Sequence, residues 1–162
     1  MSARRHLFIS HHHKDDGAVD RFLSLLGRKG WDVRNSSIRA KPANETRLKQ
    51  GLVSDDKIRR ILRMKISWST TVVVLVGKGT HQRPWVDWEI EQAHRQGKRI
   101  VGVYERGGQE ADLPTGLSKY ASAIVAWSAD SIKAAIDGED NRFEDSDGKE
   151  RSPRSDASRS IC

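Results

Sequence analysis

The stretch Thr70–Gly77 reads TTVVVLVG, and its aliphatic residues Val72–Val76 run on without a polar alternate position. A strand with one wet face alternates apolar and polar residues, because successive side chains point to opposite sides. A strand covered on both faces has no such alternation, and that is the habit of central strands in parallel sheets. This stretch therefore predicts a sheet with a layer packed on each side.

The rest of the chain supplies those layers. His6–Ser10 (HLFIS) and Arg99–Tyr104 (RIVGVY) read as further buried strands, with Trp31–Val33 and Ala123–Trp127 as shorter ones. Val19, Phe22, Leu23 and Leu26 recur at helical spacing, and Gly30 stands where a helix stop belongs. Ser54 is placed to cap a helix over Asp55–Lys65, with Ile58, Ile61 and Leu62 inward and Lys57, Arg59, Arg60 and Arg63 outward. Pro84 suits the first turn of a helix that stops near Gly97, and Ser131–Ile136 forms a last short helix. Strands alternating with helices predict one α/β domain over residues 1–137. It is a flavodoxin-like fold, a central parallel sheet with helices on both faces. The polar stretch Arg34–Ser54 is too long for a routine connector, which marks it as functional, mobile or partly helical.

Residues 138–162 are polar and poor in apolar side chains, so they are expected to form a disordered tail, a docking peptide being the alternative. They hold seven acids and five bases, leaving 24 bases against 15 acids, a net +9, on residues 1–137 of the 162-residue chain. A basic body attracts polyanions, among them nucleic acid, acidic lipid and a dinucleotide's pyrophosphate, without choosing between them. Nucleic acid is disfavoured because no aromatic interleaving or recognition motif accompanies the arginines of residues 55–65. No run approaches the roughly 20 apolar residues of a membrane span. The one cysteine, Cys162, permits no intrachain disulfide and no cysteine-based zinc site. Together with an N-terminus that lacks a signal-like apolar run, this points to a reducing, cytoplasmic setting.

In doubly wound sheets, ligands bind beyond the carboxyl ends of the strands. Ser10-His11-His12-His13 follows the first strand directly, where a hydroxyl and an imidazole would line the crevice. Successive residues of an extended backbone alternate sides, so three adjacent histidines do not converge on one metal, and no metal site is expected. Gly77-Lys78-Gly79-Thr80 follows the central strand, yet lacks the order of a phosphate-binding loop. It reads equally as an ordinary turn or as a loop that lets a ligand approach the backbone.

The segment Arg83-Pro84-Trp85-Val86-Asp87-Trp88-Glu89-Ile90 is the most informative. At 100° per residue, Val86, Ile90, Ala93 and Gly97 share a narrow buried face, while Glu91 and Arg95 form a solvated ion pair. Glu89 flanks the buried stripe on the side of Trp85. A carboxylate there is placed either to point into a cleft, favoured in its ionised form by the helix dipole, or to pair with an arginine at the rim.

These residues also carry a resemblance. Phe8-Ile9-Ser10-x-His12-x-x-Asp15, Asn35-Ser36-Ser37-Ile38, and the run SxTVVVLVGxxTxxRxWVxWEI from Ser69 to Ile90 are similar to the TIR-like family of bacterial Thoeris ThsB proteins. The likeness extends through GKRIVGVY and covers roughly residues 5–127. It implies a TIR/flavodoxin-like domain that consumes NAD+ as a substrate, with no separate cofactor. It further implies a cyclic ADP-ribose-type messenger that triggers a partner effector in antiphage defence, with self-association left open. The family's catalytic glutamate falls on Glu89, and its nucleotide-lining positions include Ser10, His12, Asn35 and Ser37. Asn35 stands where an aspartate is expected.

The chemistry needs few groups. NAD+ carries its leaving group as a pyridinium, so nicotinamide departs without a proton, unlike the leaving groups of two-carboxylate glycosidases. One ionised carboxylate holds the ribose hydroxyls and favours the positive charge that builds at the anomeric carbon. Gly77 and Lys78 at the loop, with Arg83, are candidates to meet the pyrophosphate, and Trp85 to stack on a ring. Two other readings remain: a non-catalytic TIR-like interaction module, and a nucleoside glycosyl-transfer enzyme, which also uses one glutamate on a related fold.

Overall fold

A computed structural model describes residues 5–11, 16–28, 30, 33–35, 55–139 and 141–149. Among these, five parallel strands form one sheet in the order β2-β1-β3-β4-β5, with β1 Arg5–Ser10, β2 Val33–Asn35, β3 Thr71–Val76, β4 Arg99–Tyr104 and β5 Ala123–Val125. The helices are α1 Asp16–Arg28, α2 Asp55–Trp68, α3 Pro84–Arg95, α4 Thr115–Tyr120 and α5 Ala129–Ile136. The strand order is that of the flavodoxin-like α/β fold, in which the chain reverses direction across the sheet between β1 and β3.

The two-residue period of the strands divides the core into two layers. Leu7, Ile9, Val73, Leu75, Val101 and Val103 face Val19, Phe22 and Leu26 of α1 and Ile132 and Ala135 of α5. Phe8, Val72, Val74, Val76, Ile100 and Tyr104 face Leu62 and Ile66 of α2 and Val86, Ile90 and Ala93 of α3. Every residue of β3 is buried, as its unbroken aliphatic run requires. Ser10, two residues beyond Phe8, falls on the α2/α3 side and is buried there.

Several boundaries differ from the sequence reading. The second strand covers Val33–Asn35, Trp31 lying outside the described residues; α2 runs on to Trp68, and α5 begins at Ala129. The six-residue α4 has too short a period to leave a pattern in the sequence. Gly97 lies beyond the end of α3 and is exposed, so it takes no part in the buried stripe.

The largest departure concerns the polar tail. Residues 141–149 are not a free chain: the N–H of Ile124 donates to the Arg142 carbonyl at 3.0 Å, and the N–H of Glu144 donates to the Ile124 carbonyl at 2.7 Å. Phe143 is buried against the α2/α3 layer of the core. One aromatic anchor, two backbone hydrogen bonds and the side-chain bonds of Asn141 to Arg99 and of Glu144 to the Ala126 N–H dock a segment whose composition reads as disordered. Residues 150–162 lie outside the described residues. No described helix is long and apolar enough to cross a membrane.

Candidate active site

Glu89 sits in the second turn of α3, flanked in sequence by Trp88 and Ile90. The helix presses its Val86–Ile90–Ala93 stripe onto the sheet, and this brings the neighbouring Glu89 down to the end of β1. There the Ser10 hydroxyl donates to Glu89 Oε1 at 2.8 Å. Glu89 is only 9% exposed, and no arginine pairs with it among the described residues. Glu91, two positions on, makes the opposite choice: it pairs with Arg95 at 2.7 Å in solvent, as helical geometry predicts.

Burial pushes the Glu89 carboxyl up from 4.5 to about 8, and the Ser10 hydrogen bond works in the other direction. This shift favours the protonated acid at neutral pH. This corrects the expectation that the helix dipole favours the ionised form. The dipole acts mainly within the first turn, whereas Glu89 is the sixth residue from Pro84, and desolvation dominates.

The other candidates are distributed unevenly. Ser10 and Glu89 come together at the carboxyl end of β1, beside β3, the point where the strand order reverses. Asn35 ends β2 in register with Leu7 of β1. His12 and Ser37 lie outside the described residues. Gly77 begins the turn after β3, where a Cβ would overlap the Glu105 carboxylate, so only glycine fits without displacing that side chain. The turn's amides are already committed. Gly77 N–H donates to Thr80 Oγ1 at 2.9 Å, Gly79 N–H to Asp112 Oδ1 at 3.1 Å, and Thr80 N–H to the Gly77 carbonyl at 3.1 Å. The loop is thus braced by Asp112 rather than open as an amide cradle, and Lys78 is exposed on it. Arg83 occupies the N-cap position of α3 without a side-chain cap bond, and its buried Nε has no hydrogen-bond partner among the described residues.

Trp85 is not a bare stacking surface. The Arg59 guanidinium lies 5.6 Å from the centre of its ring, and Trp88 meets it edge-on at 5.6 Å. Arg63 covers Trp88 at 5.5 Å and donates from Nε to Gln92 Oε1 at 3.3 Å. Arg63 is exposed and Arg59 partly so, as their outward positions on α2 predict, and both also bridge α2 to the helix that carries Glu89. The spacing Arg59/Arg63 opposite Trp85/Trp88 was the available signal, and it becomes legible only once the two helices are known to be neighbours. Among the described residues, no group of three or more His, Cys, Asp or Glu converges as a metal site.

A cavity of about 500 Å³ opens elsewhere, at the ends of β4 and β5, and neither Glu89 nor Ser10 lines it. The buried hydrogen-bonded acid, rather than this hollow, marks the candidate active site. An isolated acid in a dry setting at a topological switch point is the arrangement that displaces a pKa and places charge against a ligand.

Fold and site together define a TIR/flavodoxin-like α/β domain. The sequence matches the family described as Thoeris protein ThsB, TIR-like domain, over residues 8–110, and the chain belongs to that family. Among solved structures, a conserved protein from Enterococcus faecalis V583 is similar at 15% identity and a TM-score of 0.55, covering 85% of this chain and 99% of that one. The Clostridium botulinum CMP N-glycosidase BcmB is similar at 15% identity and a TM-score of 0.43, covering 86% and 87%. Identities this low speak to the fold alone. No curated protein matches the chain.

Proposed function

We propose that this protein cleaves the nicotinamide–ribose bond of NAD+ and, in antiphage defence, makes a cyclic ADP-ribose-type signal for a partner effector. The observation that carries the reading is the buried Ser10–Glu89 pair at the carboxyl end of β1 in a ThsB-family domain. The pyridinium of NAD+ is the feature that the site's electrostatics answer. A positive charge entering beside a buried carboxyl favours its ionised form, so substrate binding drives the Glu89 proton out to solvent. The resulting carboxylate accepts hydrogen bonds from the ribose hydroxyls. The C–N bond then breaks with its electron pair leaving on neutral nicotinamide, and the carboxylate favours the cation left at the anomeric carbon. Attack by water, with loss of a proton, gives the hydrolysed product, and attack by a nucleophilic atom of the same molecule gives a cyclic one. Arg83, with its unpaired Nε, is the basic residue best placed by its burial to meet a phosphate oxygen.

The test is release of nicotinamide from NAD+ by the purified chain, with the small-molecule products identified by mass spectrometry. Wild type is expected to release nicotinamide and Glu89→Gln is not. Equal release by both proteins, or none by wild type in infected-cell extract, overturns the reading.

A further inference from the structure

The cavity at the sheet's other end is built from three separated parts of the chain: the loop after β4 (Glu105–Gln109), the turn after β5 into α5 (Ala126–Ser131), and the docked segment Glu144–Gly148. Its floor is tight. At Gly108 a Cβ would run into the Val76 carbonyl, so the loop backbone lies directly on the end of β3. Trp127 forms one wall and is held edge-on by Phe22 at 6.2 Å between ring centres. Glu144 forms the opposite feature. It is 4% exposed, and its Oε1 accepts the Ala126 N–H at 3.1 Å. Its second oxygen has no hydrogen-bond partner among the described residues, and the side chain lines the hollow. Ser128, Ser131 and Ser146 add hydroxyls.

We propose that this cavity is a second small-molecule site, distinct from the Glu89 site, and that it takes an uncharged nucleoside. Three features select that class. The half-buried indole offers a face for a flat ring. A carboxylate oxygen that faces the hollow accepts donors, and the paired hydroxyls of a ribose supply two. The volume lies within the range of small-molecule pockets and holds a nucleoside with its water. Charge argues against a phosphorylated ligand: Glu105 on the lining is paired with Arg21 at 3.7 Å, which leaves Glu144 and Asp147 against Arg106. The site exists only because residues 141–149 dock on β5, so its occupancy is coupled to that docking.

Saturation-transfer NMR on the full chain, with adenosine as the probe and AMP as its charged counterpart, tests the proposal. Adenosine is expected to bind saturably and AMP at least tenfold more weakly. Glu144→Gln keeps an oxygen for the Ala126 N–H while removing the charge, and is expected to weaken adenosine at least fivefold. Glu89→Gln is expected to leave adenosine binding unchanged. Ser131→Ala, on the α5 wall, serves as a second variant if Glu144→Gln does not fold, and is expected to weaken binding at least twofold. Absence of saturable binding, AMP binding as tightly as adenosine, or loss of binding in Glu89→Gln alone overturns it. None of these readouts depends on NAD+ turnover, so this proposal and the enzymatic reading fail separately.

Discussion

Glu89 and Glu144 are both more than nine-tenths buried, and they stand at opposite ends of the same sheet edge. Their donors differ. Glu144 is held by a backbone amide and faces an open hollow, whereas Glu89 is held by a rotatable hydroxyl from a strand 79 residues away in sequence. A backbone amide is fixed by the fold and serves as an anchor for the docked segment. A hydroxyl can both donate and accept, so it can follow a carboxyl through a change of protonation. Burial alone does not distinguish the two acids; the partner does.

That contrast is most sharply tested by removing each acid's end of the sheet in turn. Glu89→Gln is expected to lower nicotinamide release about a thousandfold, the upper range for losing one charge-stabilising group, while melting shows an intact fold. The same variant exposes the acid's pH signature. Because burial raises the folded pKa from 4.5 to about 8, the carboxyl's contribution to stability is complete below 4.5 and is lost as pH rises through 8. Wild type should therefore lose stability relative to Glu89→Gln across that window, as read by urea unfolding at several pH values. Parallel curves would show that Glu89 is ionised at rest.

At the other end, Phe143→Ala is expected to cost about 3 kcal/mol in urea unfolding, the usual scale for emptying a buried phenyl site. A negligible change would show that the docked segment contributes nothing to the core. Ser10→Ala removes one buried hydrogen bond, worth about 1 kcal/mol. Since that bond lowers the Glu89 pKa, the acid limb of kcat/KM against pH should move upward. An unmoved limb would separate Ser10 from the reactive acid. The smallest effect belongs to the clamp: a double-mutant cycle on Arg63 and Trp88 should give a coupling of about 0.5–1 kcal/mol, and zero coupling would mean the ring contact is incidental.

What was legible in the sequence follows from what is local. The β3 run announces its own burial, and Glu89 is placed by a single helix's angles and by the family likeness. The Glu89 protonation state was not legible, because desolvation arises from β1, α2 and α3 meeting, and no one segment encodes that. The docking of residues 141–149 escaped for a related reason. Its hold rests on Phe143 and on backbone hydrogen bonds, and composition averaged over the tail hides a single anchor. The bracing of the Gly77 turn by Asp112 is likewise a long-range contact, invisible to a motif that stops at Thr80.

The pairing of residues 142 and 144 with Ile124 has a protective side. A three-residue outermost strand with bare amides and carbonyls invites a second molecule to add its own strand there, which is how sheets join into aggregates. By satisfying the outward N–H and carbonyl of Ile124 internally, the chain's own 142–144 segment closes the sheet to strangers. A protein shortened before Arg142 would lose that shield, and should precipitate or self-associate at concentrations where the intact chain stays dispersed.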